Sequence, residues 1–450
     1  MPSSFHNLPK NWQVKTLGEI LSNDKYAIKR GPFGSSLKKE FFVDSGVRVF
    51  EQYNPINQDS NWKRYFITQQ KFKELESFKA GAGDLLISCS GTLGKILELP
   101  KNVEVGIINQ ALLKIRLDNK QILNSYFVHL FNSPYMQNII LENTIGSAIQ
   151  NIASVKVLKQ IKIPLPPLKT QKAIVEKLEN SFAHIDEAVH HLKAVQTNIP
   201  RLKSSLLHCA FSGKLTESQN SSHKVQTLKK RVVGEEGETS ALPLHPLIKE
   251  EIPQGWEVKT LGEIGKVVSG GTPSTSNKDN FDGEIAWITP ADLSSYKEKY
   301  ISKGKRNLSE QGLKNSSARL LPPNSILFSS RAPIGYVAIA SNALCTNQGF
   351  KNLIPNGNVS SEYIYYFLLH SKRLAESVAS GTTFKEISAA SFSKLPIPLP
   401  PLSTQKLIVQ ILESKFTHLD NLAQFVNASL ENLQKLKSSL LNQAFKGELV

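Results

Sequence analysis

The sequence predicts an α+β fold built twice: two globular units, each followed by a long amphipathic helix, related by an internal pseudo-twofold repeat. Three observations carry this expectation. LPKNWQVKTLGEI at Leu8 to Ile20 returns as IPQGWEVKTLGEI at Ile252 to Ile264, an offset of 244 with nine of thirteen positions identical. The block 161–215 returns at 395–449, an offset of 234, with no gap and 28 of 55 positions identical. Between these anchors the copies diverge, yet echoes keep their order: ISCSGTLGK at Ile87 with LFSSRAPIGY at Leu327, INQALLKI at Ile108 with TNQGFKNL at Thr346, and GSAIQNI at Gly146 with GTTFKEI at Gly381. A repeat of this length sets the architecture before any single element is read.

In chain order, each unit opens with its Trp-containing anchor and a short strand. A Gly-rich loop follows, KRGPFGSSLKKEFF at Lys29 or VSGGTPSTSNKDNFDG at Val268. β-rich runs come next, GDLLISCS at Gly83 and NSILFSS at Asn324, then a helix, NSYFVHLFNSP at Asn124 or SEYIYYFLLHS at Ser361. IPLPPL at Ile163 and again at Ile397 imposes an extended approach, because successive prolines forbid helix. The first long helix then places Leu178, Phe182, Ile185, Val189, Leu192, Ile199, Leu202 and Leu206 at alternating threes and fours. The second repeats the register with Leu412, Phe416, Leu419, Ala423, Val426, Leu430, Leu433, Leu436 and Leu440. Each helix stops at a glycine, in AFSGKL at Ala210 and AFKGEL at Ala444, and Pro200 should kink or break the first. Two equal stripes in one chain can bury each other as an antiparallel pair, although such a stripe also fits packing on its own domain. A helix of roughly 37 residues spans about 55 Å, a ruler of at most about 16 base pairs of duplex. The stretch 216–250 is polar, charged and without apolar period, and is expected to be a linker.

With 54 Lys+Arg against 38 Asp+Glu, the formal charge of +16 favours a polyanion, nucleic acid before membrane, but leaves a merely basic protein open. No apolar run approaches a membrane span, and the N-terminal stretch lacks the order of a signal peptide. Cys89, Cys209 and Cys345 are isolated and odd in number, which suits neither a disulfide framework nor a zinc site. A cytoplasmic location is expected.

The divergent loops hold the inventory for double-stranded DNA, cations for phosphates and Asn, Gln, Arg and Ser for base edges. In copy one the candidates are Lys29, Arg30, Ser35, Ser36, Lys38, Lys39, Ser90, Thr92, Lys95, Asn109 and Gln110. In copy two they are Thr272, Ser274, Ser330, Arg331, Tyr336, Asn347, Gln348 and Lys351. Asn109/Gln110 and Asn347/Gln348 occur in both copies, which suits shared turn or core roles. Ser90 against Arg331 differs at a matched position, where sequence reading is more at home.

Catalytic constellations are weaker. FNSPY at Phe131 has Ser133 where the adenine-methyltransferase motif of Asn/Asp-Pro-Pro-Tyr/Phe type has its first proline, and no glycine-rich cofactor turn precedes it. WEVK at Trp256 offers a nuclease-like Glu-x-Lys, but copy one has Gln13 in place of Glu257. SGTLGK at Ser90 lacks the first glycine and the Ser/Thr of a phosphate loop. His184 and His418 are matched with Asp186 and Asp420 two residues on, a spacing that puts them on different helix faces. The expectation is therefore no catalytic, cofactor or metal site in this chain; a stand-alone adenine methyltransferase or nuclease is the competing reading.

IPLPPLKTQKAIVEKL at Ile163, RLKSSLLHCAFSGKL at Arg201 and their repeats at Ile397 and Lys435 resemble the specificity (S) subunit of Type I restriction-modification enzymes, over essentially the whole chain. GPFGSSLKKEFF at Gly31, SSRAPIGYVAIA at Ser329 and TNQGFKNL at Thr346 are similar to sequences of that family's target recognition domains. The resemblance implies two target recognition domains, 1–168 and 251–402, joined by two long antiparallel conserved helices, 169–215 in the centre and 403–450 at the C-terminus. It implies that each domain reads half of a bipartite DNA target and that the helices set the gap. It further implies docking of two methyltransferase (M) subunits, which methylate adenine from S-adenosylmethionine, and restriction/translocase (R) subunits using ATP and Mg; a methyltransferase-only complex would use the same subunit. Helix pairing falls to Leu178, Phe182, Ile185, Leu192, Leu206, Leu412, Phe416, Leu419, Val426 and Leu440, with outward faces and the PLPPL turns toward partners. The chain departs from the family at Pro200 and in its short tail after Phe445.

Overall fold

A computed structural model describes residues 8–142, 152–216, 253–331, 333–381 and 385–450. The chain divides into two compact units, Met1–Lys193 with Asn427–Val450, and Ala194–Val426. Both dividing points fall inside long helices, so each unit contains one globular part, a stretch of its own helix and a stretch of the other copy's. The linker expected at 216–250 lies outside the described residues apart from Thr216, as do 146–151 of the GSAIQNI echo.

In the first unit the repeated anchor is a capped turn. Thr16 donates from its backbone N–H and from Oγ1 to Glu19, which turns Leu17 and Ile20 into the core. Those two hydrogen bonds also hold the Glu19 carboxyl below the ordinary carboxylate range. Thr260 and Glu263 repeat the arrangement. Gln13–Thr16 pairs antiparallel with the proline strand Lys162–Leu165, Val14 opposite Pro164. A two-stranded ladder tolerates proline because one side of the strand needs no donor. Tyr126 from the helix Asn124–Phe131 donates to the Pro164 carbonyl at 2.8 Å.

The main sheet of this unit runs in the order Ile28–Arg30, Leu112–Ile115, Leu85–Ser88, Ile96–Glu98, with antiparallel neighbours. The run LLIS is buried throughout because both of its faces are covered. Leu85 and Ile87 pack with Tyr126, Phe127 and Leu178, whereas Leu86 packs with Phe50 and Ile108 of a second, five-stranded sheet. The sequence predicted one helix over NSYFVHLFNSP; the chain instead leaves the helix at Asn132 and begins another at Pro134. Ser133 makes that junction, donating to the Leu130 carbonyl and accepting from the Met136 N–H.

The second unit repeats the plan. Its main sheet runs Gly265–Ser269, Phe350–Pro355, Ile326–Ser329, Val337–Ala340, Tyr300–Ile301. Ile326 and Phe328 face the helical core while Leu327 faces the other cluster. Glu257–Thr260 pairs with Pro396–Leu399, and Tyr363 donates to the Pro398 carbonyl at 2.6 Å.

The long helices are Leu168–Phe211 and Leu402–Lys446. Their first turns are tied by buried glutamines. Gln171 accepts from the Leu123 N–H and donates to the Gln121 and Pro166 carbonyls; Gln405 accepts from the Ser360 N–H and donates to the Pro400 carbonyl. Within the first unit the two helical stretches run antiparallel, Lys177 donating to the Leu449 carbonyl and Lys437 to Asp186. In the second unit Lys203 reaches Asp420 in the same way. Lys437 lies over the Phe182 ring and Lys203 over Phe416, so the two pairs are matched by the repeat. All ten residues expected to pair the helices are buried or half-buried.

Two expectations about the helices need correction. Leu202 and Leu436, read as members of the stripe, are 49% and 45% exposed. Here the covered face passes through Lys203 and Leu207, one residue on, so Leu202 points about 100° away. Of the kink or break expected at Pro200, the break does not occur: the helix is continuous through it.

The helix ends close the units reciprocally. Gly213, with φ +82°, lies where a Cβ would sit 2.1 Å from Pro253, at the start of copy two. Gly447, with φ +79°, lies equally close to Pro9, at the start of copy one, a Cβ falling 2.4 Å from its ring. Phe211 accordingly packs with Trp256 and Tyr363, and Phe445 edge-on to Tyr126. Among the described residues, no helix is long and apolar enough to cross a membrane.

Candidate nucleic-acid interface

In the first unit three chain segments meet at one end of the main sheet: the exit of Ile28–Arg30, the entry to Leu112–Ile115 and the exit of Leu85–Ser88. The Gly31 N–H donates to the Leu112 carbonyl at 2.9 Å, and Cys89 to Ala111 at 2.8 Å. The Asn109 side chain accepts from the Ala111 N–H at 3.0 Å, making the turn. Gly31 approaches so closely that a Cβ would fall 1.8 Å from the Asn109 carbonyl oxygen, which only glycine permits.

Arg30, Ser90, Asn109 and Gln110 are thereby brought together. Arg30 stacks over Phe33 at 5.0 Å, and that ring is 60% exposed. Ser35, Ser36, Lys38 and Lys39 follow on an exposed loop, Lys38 beside Glu40 at 3.5 Å. Thr92 is exposed in the hairpin that returns from Ser88 to Lys95, where the Ser88 side chain accepts from the Lys95 N–H. Lys29 lies over the Tyr26 and Phe78 rings, away from the convergence. Burial pushes the Cys89 thiol up to about 12, against the pull of the Arg30 charge, which leaves it a packing group.

The second unit builds the same junction with different side chains. Gly270 donates to the Phe350 carbonyl, Gly271 to Thr346 and Ser330 to Gly349, at 3.2, 2.9 and 2.7 Å. Asn347 accepts from the Gly349 N–H at 3.0 Å, and a Cβ on Gly270 would meet the Asn347 carbonyl at 1.9 Å. Asn109 and Asn347 are therefore turn-makers in both copies. Gln110 and Gln348 are exposed beside them, Gln348 bonded to Thr272. Ser274 is exposed and bonds Ser276. Tyr336 is half-buried at the place of Lys95, its N–H donating to the Ser329 side chain.

Three candidates of copy two are not free to meet a ligand as they stand. Ser330 and Lys351 are buried, and with Arg331 they converge on Glu386. Lys351 reaches Glu386 at 3.0 Å, Arg331 at 3.2 Å and Ser330 at 3.5 Å. Burial works to raise the Glu386 carboxyl, but the Lys351 hydrogen bond and the Lys351 and Arg331 charges reverse it, leaving it below the ordinary range. Sequence reasoning missed Glu386. The available signal was a paired change: Ser90 becomes Arg331, and in the matched segment Asn151 becomes Glu386. It also missed Phe33 and Arg306; the latter pairs in register with Trp287, whose indole donates to the Gly271 carbonyl.

The rejected motifs have structural partners. Tyr135 of FNSPY donates to the Lys162 carbonyl, Glu257 of WEVK pairs with Lys259 at 2.8 Å, and Asp186 and Asp420 hold lysines of the neighbouring helix. Among the described residues, no group of three His, Cys, Asp or Glu is placed to hold a metal.

The family model for the Type I restriction modification DNA specificity domain matches residues 9–195 and 253–432. The chain is 42% identical over 198 residues to the Type I restriction enzyme MjaIX specificity subunit of Methanocaldococcus jannaschii, a match covering 43% of this chain and 45% of that protein. To the putative MjaX specificity subunit of the same organism it is 24% identical over 452 residues, 98% of this chain and 94% of that one. The fold is similar to a chain from a structure on complex assembly and conformational transition of the type I R-M system, with TM-score 0.70, 20% identity and 98% and 99% coverage. It is also similar to the HsdS subunit from Thermoanaerobacter tengcongensis, with TM-score 0.63, 18% identity and full coverage of both chains. With each of its two copies matched by the same model, the chain belongs to the family of Type I restriction modification DNA specificity domains.

Proposed function

We propose that the chain is the DNA-recognition subunit of a cytoplasmic Type I restriction-modification complex. Each globular unit reads one half of a bipartite duplex target, and the long helices hold the unspecified gap between the halves. They also dock two methyltransferase subunits. S-adenosylmethionine belongs to those subunits, ATP and Mg to a restriction subunit, and this chain supplies recognition alone.

The observation that carries the reading is the sheet end found in both units, one glycine-on-asparagine junction presenting unlike side chains. A shared backbone with unlike readers is what two different half-sites require. The net charge of +16 supports a phosphate-binding surface, and exposed Thr92 of the first unit suits base edges, whereas Gln110 and Gln348, alike in both copies, do not distinguish the halves. Each well-placed contact of that kind discriminates by about 1–3 kcal/mol.

Missing-base interference on duplex bound by the full chain tests this. The expected pattern is two short blocks of essential bases separated by dispensable ones, with log affinity falling linearly in log salt. One continuous block contradicts it.

A further inference from the structure

We propose that Glu51 determines specificity in the half-site read by the first unit, accepting a hydrogen bond from the exocyclic amino group of a cytosine or an adenine in the major groove. The inference rests on the DNA-reading function proposed above.

Glu51 stands at the edge of the junction. It follows the strand Val47–Phe50, whose last carbonyl accepts from the Asn109 N–H at 2.9 Å, so it leaves that sheet beside the turn that carries exposed Gln110. The second unit has the same arrangement: the Ile288 carbonyl accepts from the Asn347 N–H at 2.9 Å, and Thr289 comes next. Strand pairing gives the same match, since Phe50 lies opposite Ile108 and Ile288 opposite Thr346 in parallel ladders. Glu51 and Thr289 are therefore equivalent in position.

Both residues open the same turn, but only Thr289 is satisfied by it. The Glu51 N–H donates to Asn54 Oδ1 at 2.9 Å, and the Thr289 N–H to Asp292 Oδ2 at 2.8 Å. Thr289 also gives its hydroxyl to Asp292, at 2.6 Å. Asn54 instead spends its amide hydrogens on the Asp59 and Trp62 carbonyls, at 2.8 and 3.0 Å, and has none for the Glu51 carboxyl. Oε2 of Glu51 is buried with no hydrogen-bond partner among the described residues, as is Oε1 of Gln52 beside it. Burial raises the Glu51 carboxyl above its ordinary range, against the pull of the Arg64 charge. An acceptor withheld from water and left unpaired is costly, and the second unit builds the turn without that cost. The turn does not require a carboxylate here; a donor from outside the chain accounts for it.

The chemistry selects the donor. A carboxylate repels phosphate, so Glu51 adds nothing to backbone affinity. As a carboxylate it only accepts, which rules out guanine and thymine in the major groove, where O6, N7 and O4 are acceptors too; the donors there are cytosine N4 and adenine N6. The minor groove shows acceptors at every base pair and disfavours a carboxylate throughout. Glu51 is half-buried and its last torsion is soft, so the carboxyl can turn to present either oxygen.

The test is equilibrium binding of the full chain to its mapped target with each adenine or cytosine replaced in turn by an analogue that lacks the amino group, purine for adenine and 2-pyrimidinone for cytosine. At one position of one block the unsubstituted chain loses about 10-fold or more in affinity, and the analogue that causes the loss tells cytosine from adenine. Glu51→Thr, which takes the residue of the matched turn, keeps the parent's unfolding midpoint and binds the intact and the analogue duplex alike at that position. Its dependence at every other position, the second block included, stays as in the parent. Glu51→Gln retains an acceptor oxygen and keeps a reduced dependence at the same position, a graded result that a merely structural role does not give. If Glu51→Thr keeps the parent's dependence everywhere, or binds every duplex uniformly more weakly, the assignment is overturned while the two blocks and their gap leave the functional reading standing. An unsubstituted chain that prefers no sequence overturns both.

Discussion

Gln171 shows how much one side chain carries at the entry to a long helix. Its buried amide satisfies the Leu123 N–H and the Gln121 and Pro166 carbonyls, the first two half-buried and the last buried. Gln171→Ala strands those groups at about 1–3 kcal/mol each before relaxation, and denaturant unfolding of the variant should show a loss of roughly 3 kcal/mol. A loss below about 1 kcal/mol would mean that water replaces the amide. Glu386 acts in the opposite sense, tying down Arg331 and Lys351 beside the Gly270 junction. Glu386→Gln should raise DNA affinity at low salt and steepen the log affinity against log salt slope by about one, as a freed cation meets a phosphate. Because the Glu386 carboxyl is held below its ordinary value, the latch is complete above the normal carboxylate range, near pH 4.3, and opens only as pH falls through the lowered value. Unchanged affinity and slope in Glu386→Gln between pH 6 and 8 would place these cations off the DNA.

At the scale of elements, the long helices were legible because three-and-four spacing survives over their whole length. The glycine stops were legible too, but not what they pack on. Gly213 meets Pro253 across a sequence separation that carries no local period, so only the fold brings them together. Gly213→Ala puts a Cβ into Pro253 at positive φ, and should destabilise the second unit by at least about 2 kcal/mol while sparing the first. Hydrogen exchange around Trp256 and Phe211 against that around Tyr126 reads this directly; equal effects on both units would contradict reciprocal closure. The helix runs unbroken through Pro200 because tertiary burial of Ile199 and Leu207 on either side outweighs one lost hydrogen bond. Pro200→Gln, the residue of the matched position, should therefore raise stability by roughly 2 kcal/mol. A fall in the unfolding midpoint would show that the proline is needed where it stands. The short edge strands of the five-stranded sheet, Phe42–Val43 and Lys79–Ala80, gave no pattern because two residues cannot show an alternation.

Across the whole molecule, what repeats is construction: capped anchors, proline strands pinned by Tyr126 and Tyr363, buried glutamines, closing glycines. The candidate site was legible in part for the same reason. Asn109 and Asn347 recur because both copies need the turn, and the departure of Arg331 from Ser90 marked a surface free to differ. Glu386 escaped notice because its role exists only across the sheet end, where Arg331 and Lys351 meet it. The central claim is that the two divergent interiors read DNA independently. Exchanging residues 21–160 for the equivalent segment of another specificity subunit, then selecting bound duplexes from a random pool with the full complex, tests it most directly. The account predicts that one block of selected sequence changes while the other block and the gap between them stay as they were. A pool in which both blocks change together, or neither does, would contradict it.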